Sequence, residues 1–275
     1  MVHMADAQAG ATLRALHATF FAMPNPWDGA SARHLAAQGF SALATSSAAL
    51  AWSLGKRDGA ITRGEAIAHA AMIHEMTGLP VNGDFESGYG DTPAGVADTV
   101  TAAMDAGVAG CSIEDVFKGG TEPLYGEAEA CRRLEAARNA IDRASGDFVL
   151  TGRCEAYLEG VADPFGTAKA RLKAYAAAGA DVLYAPGLTD ADEVAAIAAL
   201  TDRPVSVIAG LGGVSNDLAA LERLGVKRIT VGSGLYKQAF GAFFADVARL
   251  AEGTAAFGDA PASAIFDRLM PDPGS

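Results

Sequence analysis

Along this chain, short and nearly continuous apolar runs alternate with longer stretches of helical period. The apolar runs occupy residues 20–23, 42–45, 80–84, 109–114, 148–153, 181–185, 204–209 and 228–232. They lack the strict apolar–polar alternation of a half-exposed strand, so they read as parallel strands covered on both faces. Between them lie amphipathic stretches at 64–76, 93–105, 127–143, 166–178, 190–200 and 216–224. Thr92, Asp190 and Ser215 stand where a helix cap would accept the first free backbone N–H groups. Glycines at 39, 78, 107, 146, 179 and 225 end the preceding helices.

Eight strand-then-helix units predict an α/β fold, a (β/α)₈ TIM barrel in one domain spanning 1–275. An open doubly wound sheet is the alternative. Its glycine fingerprint is missing from the first turn, Met23-Pro24-Asn25-Pro26. Met1–His3 read as an extension ahead of a native start at Met4. The stretch 35–55 carries no charge, yet its serines and threonine are too polar for a membrane span. The Ala-, Gly- and Pro-rich tail from Gly253 predicts one short apolar helix near 264–270, which either wraps the barrel or docks on a neighbouring subunit.

Charge narrows the partners. The 275 residues carry 21 Lys plus Arg against 33 Asp plus Glu, a net −12 that disfavours nucleic acid and anionic membrane. Cys111, Cys131 and Cys154 show neither zinc spacing nor a disulfide framework, and read as reduced core thiols of a cytoplasmic protein.

Barrel chemistry gathers at the C-terminal ends of strands. The third run ends in Asp84 and Glu86, two apart, which an extended backbone would point to one side. The fourth ends in Glu114 and the fifth in Arg153. Any one such acid serves more often as a helix cap or surface ion pair. Three converging acids need neutralising, which a hard divalent cation does: Mg²⁺, with Mn²⁺ as its substitute. The planar fork of Arg153 suits an organic carboxylate. Together they predict a pocket for a small 2-oxo or 2-hydroxy acid.

The strings "TSSAALAWSLGKRD" from residue 45, "GDFESGYGD" from 83, "GVAGCSIED" from 107 and "TGRCEAY" from 151 resemble the isocitrate lyase/phosphoenolpyruvate mutase superfamily over most of the chain. The resemblance implies a Mg²⁺-dependent barrel that makes or breaks C–C or P–C bonds beside a 2-oxo acid. It implies metal held by Asp84, Glu86 and Glu114, directly or through water. Asp58 would support the metal waters or move protons, and Arg153 would stabilise enolate charge. Substrate carboxylate would meet the turn at Thr45, Ser46 and Ser47, together with Arg153. A C-terminal helix exchanged between subunits, in a homodimer or homotetramer, would employ the tail after Leu235.

Two departures stand out. Glu86 replaces the usual second Asp, and the loop 116–125 lacks the Cys and His of the lyase lid. In that loop Lys118, Thr121, Glu122 and Tyr125 are the groups able to shuttle a proton, and Gly119-Gly120 suggests a moving lid. The leading expectation is therefore a Mg²⁺-dependent C–C lyase or decarboxylase of small 2-oxo or 2-hydroxy di- or tricarboxylates, working through a metal-held enolate. The alternatives are a phosphonomutase or P–C hydrolase of phosphonopyruvate-like substrates, and a non-catalytic 2-oxo acid binder. Glycines at 210, 212, 213, 232 and 234 keep open a phosphate-binding aldolase or isomerase, although tight turns explain them equally well. His17, His34, His69 and His74 read as surface or partly buried residues rather than ligands. Trp52, Phe240, Phe243 and Phe244 read as core or subunit contact.

Overall fold

A computed structural model describes residues 4–117, 122–144, 147–255, 257 and 260–270. The Lys118-to-Thr121 part of the expected lid, the glycine at 146 and Met1–His3 lie outside the described residues. The chain runs α1 (Met4–Leu16), β1 (Phe21–Ala22), α2 (Gly29–Ala37), β2 (Leu43–Ala44), α3 (Ser47–Ser53), α4 (Arg63–Thr77), β3 (Val81–Asp84), α5 (Pro93–Asp105), β4 (Gly110–Glu114) and α6 (Glu127–Ala144). It continues β5 (Val149–Arg153), α7 (Pro164–Ala177), β6 (Val182–Tyr184), α8 (Ala191–Ala198), β7 (Val205–Ile208), α9 (Leu218–Arg223), β8 (Arg228–Thr230), α10 (Gly234–Ala251) and α11 (Ser263–Asp267).

All eight strands fall within the eight apolar runs, and all pair in parallel, in the order β1-β8-β7-β6-β5-β4-β3-β2. The curled sheet is drawn shut between β1 and β2, where Ala44 N–H donates to Pro24 O at 3.1 Å. Asn25 reinforces that seam: its amide donates to Thr45 O at 2.8 Å and accepts from Val231 N–H at 2.9 Å. The architecture is the (β/α)₈ barrel expected, with a core of Leu43, Val81, Ile113, Leu150, Leu183 and Ile229 between strands and helices.

Helix starts follow the capping rule, with one reassignment. Thr92 and Asp190 accept from Gly95 and from Asp192 and Glu193 N–H as expected. Ser215 is not a cap. It sits in a 3₁₀ turn, Gly213–Asn216, where its hydroxyl donates to Gly212 O, and Asp217 caps α9 instead. Two cap candidates two residues apart cannot be ranked by side-chain chemistry; the turn geometry decides.

The interior of the barrel below its mouth is unusually polar. His17, in the turn before β1, donates from Nδ1 to Leu13 O at 2.8 Å, which leaves its Nε2 lone pair facing Arg228 Nη1 at 3.5 Å. Burial, and then the Arg228 charge, push His17 from its ordinary 6.5 down to about 4. The folded value lies below the unfolded one, so protonation favours the unfolded chain. Stability present above pH 6.5 is therefore lost as the pH falls towards 4, by about 3 kcal/mol. Thermal melts from pH 7 to 4 should show that loss, and His17→Gln should flatten the profile. An unchanged profile in the variant would contradict this assignment.

Candidate active site

The strand ends deliver their side chains to one mouth. Arg153, at the end of β5, places Nη1 at 3.1 Å from Asp84 Oδ1 and 3.5 Å from Glu114 Oε2, while its Nε donates to Glu155 Oε1. The Tyr184 ring stands 5.5 Å from the guanidinium. Three acids, Asp84, Glu114 and Glu155, thus crowd one guanidinium. Burial pushes the Glu114 carboxyl well above the usual carboxylate range, and Arg153 offsets this only in part. Burial raises Glu155 in the same way. Burial alone would lower the Arg153 pKa, but Glu155, Glu114 and Asp84 hold the guanidinium charged.

The turn after β2 is occupied with Asp84. Thr45 Oγ1 accepts from Asp84 N–H at 2.8 Å, and Ser47 N–H donates to Asp84 Oδ2 at 2.8 Å. Ser46 caps α3 by accepting from Ala49 N–H at 3.3 Å. All three line a cavity of about 790 Å³ at the mouth, together with Asp84, Arg153 and Asp58. That volume lies in the range of small-molecule sites. Asp58 stands on the exposed rim.

Glu86 corrects one expectation. It does not continue an extended backbone: its φ is +47°, and Tyr89 follows at +51°. The strand ends at Asp84; Phe85 is wholly buried, its ring filling the space above Gly83, where a Cβ would lie 2.4 Å from it. The chain then turns sharply, closed by Gly88 N–H on Phe85 O at 2.7 Å. Two non-glycine residues in the left-handed region mark a backbone held against its preference, as functional loops often are. Glu86 still reaches the acid cluster: its charge acts on Glu114, its carbonyl accepts from Glu114 N–H, and its carboxylate accepts from Tyr89 Oη at 3.5 Å.

The donors suit a hard cation: all are oxygens, and negative charge exceeds positive around the one guanidinium. Among the described residues no three acids already surround a common point. Mg²⁺ needs only one or two direct carboxylates and keeps its waters, so Asp84 in the cavity wall with Glu86 and Glu114 behind it fits.

Behind the mouth lie residues that sequence reasoning did not single out. Asp115 is buried and accepts from Glu155 N–H at 2.9 Å, Arg171 Nη1 at 2.9 Å and Tyr175 Oη at 2.5 Å. Arg171 also donates to Tyr125 O at 2.8 Å. Tyr125 N–H in turn bonds Asp115 O, next to the Val116–Leu124 bridge at the root of the strand-four loop. Arg133 donates to Ser87 O and Gly90 O at 2.7 and 2.6 Å and lies over the Tyr125 ring, fastening the β3 loop to the β4 loop. Cys111 and Cys154 are fully buried, with thiols raised by burial, and Cys131 lies in α6. His34, His69 and His74 lie in α2 and α4 and do not line the cavity; His69 is buried and bonds Trp27 O at 3.1 Å.

Comparison with known proteins agrees with the fold. Residues 13–251 match the family model for phosphoenolpyruvate phosphomutase. A probable 2-methylisocitrate lyase of Corynebacterium glutamicum is 33% identical over 192 residues, 66% of this chain and 60% of its own length. An uncharacterized Mycobacterium tuberculosis protein is 34% identical over 229 residues, 81% of this chain and 83% of its own. Among solved structures, a candidate lyase/mutase from Burkholderia cenocepacia J2315 superposes with TM-score 0.92 at 43% identity, covering 96% of both chains. A 2,3-dimethylmalate lyase of the same superfamily superposes with TM-score 0.85 at 26% identity, covering 95% of this chain and 94% of its own. With its barrel and its acid-ringed arginine, the chain belongs to the phosphoenolpyruvate phosphomutase family, within a superfamily of lyases and mutases.

Proposed function

We propose that this protein is a divalent-metal-dependent lyase or decarboxylase of small 2-oxo or 2-hydroxy di- or tricarboxylates. The observation that carries the reading is Arg153 fixed among Asp84, Glu114 and Glu155 at the wall of one cavity. A metal held by Asp84, with Glu86 and Glu114 behind it, would supply Lewis-acid polarisation of the substrate's oxo group. Arg153 supplies a fixed positive charge for the electron pair left when the C–C bond breaks. Its fork is held on three sides, so it need not reorganise as that charge develops. Asp84 is itself fixed by Ser47 N–H and Thr45 Oγ1. Asp58, on the rim of the cavity, is the candidate to which we assign the movement of a proton.

Named relatives support the class: oxaloacetate decarboxylases of Bradyrhizobium and Rhodopseudomonas, and an oxaloacetate acetylhydrolase crystallised with oxalate, which superposes with TM-score 0.85. The reading is tested with Mg²⁺ and a panel of oxaloacetate, isocitrate, methylisocitrate and alkylated malates. Turnover of at least one, abolished by EDTA, is the expected result; turnover of none sinks it. The family model's own description favours a second reading, rearrangement or hydrolysis of phosphonopyruvate-like compounds. Phosphorus NMR of phosphonopyruvate incubated with the protein separates the two. Metal-dependent binding of a 2-oxo acid with no turnover of either kind would leave the binder reading.

The assembly we propose is a homodimer or homotetramer. Phe243, Phe244, Val247 and Leu250 stand exposed on α10, an apolar face that a second copy would cover. Light scattering showing a monomer at micromolar concentration would refute it. No helix among the described residues is long and apolar enough to cross a membrane. The three free cysteines support a reducing, cytoplasmic setting, which fractionation of the source cells would check.

A further inference from the structure

The floor of the cavity holds a charge without a counter-charge. Arg228, on β8, is fully buried and lines the cavity. Its Nε donates to Ser206 Oγ at 3.0 Å, Nη2 to Thr151 Oγ1 at 3.0 Å and Nη1 to the His17 ring at 3.5 Å. Every one of these partners is neutral, since His17 cannot share a proton load with a neighbouring guanidinium. Among the described residues no carboxylate pairs with Arg228, and burial pulls its pKa down to about 10. A guanidinium has five N–H donors, so two remain after these three bonds.

Ser112, paired in register with the Thr151 that Arg228 bonds, and Asn82, two residues before Asp84 on β3, are both buried and line the same cavity. Asn82 Oδ1 has no hydrogen-bond partner, and its amide nitrogen has only a long contact of 3.4 Å to Gly83 O. The two ends of an amide are exchangeable by a flip, so this side chain can present either a donor or an acceptor to whatever fills the floor. An isolated buried charge is costly, and an unpaired amide adds to the cost. A cavity that leads from solvent to both gives that cost a remedy.

We propose that Arg228, Asn82 and Ser112 form a carboxylate-binding site at the cavity floor, separate from the Asp84–Arg153 mouth. Thr151 lies two residues before Arg153 on β5, so the floor is one inward-facing step, about 6.6 Å, below the mouth. The occupant is either the far carboxylate of a molecule whose head lies at the mouth or a separate small carboxylate. A phosphate fits less well, because the floor offers one cation and no helix N-terminus. The site does not depend on the lyase reading, since it contains none of the metal-binding acids.

The test is thermal unfolding in EDTA, with chloride, acetate and succinate titrated into the full-length protein. Wild type and Asp84→Ala should both gain about 3 °C at a carboxylate concentration ten times the dissociation constant, and chloride should give less. Arg228→Met should lose the gain. Should Arg228→Met not fold, Thr151→Asp answers the same question by placing a resident carboxylate beside the guanidinium. That variant should melt at or above the wild-type temperature and no longer respond to carboxylate. Arg153→Met distinguishes the occupants: it weakens succinate but not acetate if the floor takes the far end of a spanning dicarboxylate, and weakens neither if it takes a separate ion. No gain in the wild type, or an equal gain in Arg228→Met or Thr151→Asp, overturns the proposal. Because metal is absent throughout, a protein that turns over none of the panel could still show this response, and an active one could lack it.

Discussion

Replacing Arg153 with Met is expected to lower kcat/KM for the cleaved substrate by about 10³ while leaving the fold intact. Loss of one preorganised donor to a developing oxyanion costs about 10²–10³. Arg153 does more, because its guanidinium also neutralises Asp84, Glu114 and Glu155. Without it, Glu114 and Glu155, already raised by burial, shift further towards the neutral acid. Arg153→Lys keeps the charge but loses the fork, so it should restore only part of the rate. Steady-state kinetics with circular dichroism as the folding control reads both. A variant within threefold of wild type would remove Arg153 from the chemistry.

Asp115→Ala should give the largest loss of stability. The side chain is buried and accepts from Arg171, from the Tyr175 hydroxyl and from Glu155 N–H. Its removal strands a charge and two donors, a change that costs about 3–5 kcal/mol when one partner of a buried pair is deleted. The melting temperature should fall by about 6–20 °C. Arg171→Met in the same chain should recover part of the loss, because the stranded charge goes with it. The single variant should also loosen the root of the strand-four loop, through Tyr125, and the Glu155 backbone that faces Arg153. A double variant as destabilised as the sum of the singles would show that Asp115 and Arg171 act independently.

The sequence carried the barrel because its signals are local. Each strand is a short apolar run bounded by a turn, and Pro93–Asp105 was legible to the residue because Thr92 caps it and Gly107 follows it. Asp84, Glu114 and Arg153 were legible for a related reason: strand ends define the mouth, and each residue occupies one. The support behind them was not. Arg171 and Tyr175 lie 56 and 60 residues from Asp115, on a helix whose inward face cannot be matched to one carboxylate from pattern alone. Arg228 follows Lys227 in the sequence and was not singled out, whereas the fold buries it on β8 and sets it in the cavity lining. The left-handed turn at Glu86 had no signal, because nothing in a glutamate announces a positive φ.

The proposed function requires Asp84 to hold a cation that in turn holds a 2-oxo acid. Calorimetric titration of oxalate, a planar dianion resembling an enolate of such an acid, tests it without requiring the true substrate. Wild type should bind oxalate at least tenfold more tightly with Mg²⁺ than in EDTA, and Asp84→Ala should lose that metal-dependent gain, keeping only the metal-independent binding at the cavity floor. Equal affinity with and without metal, or wild-type affinity in Asp84→Ala, would contradict the account.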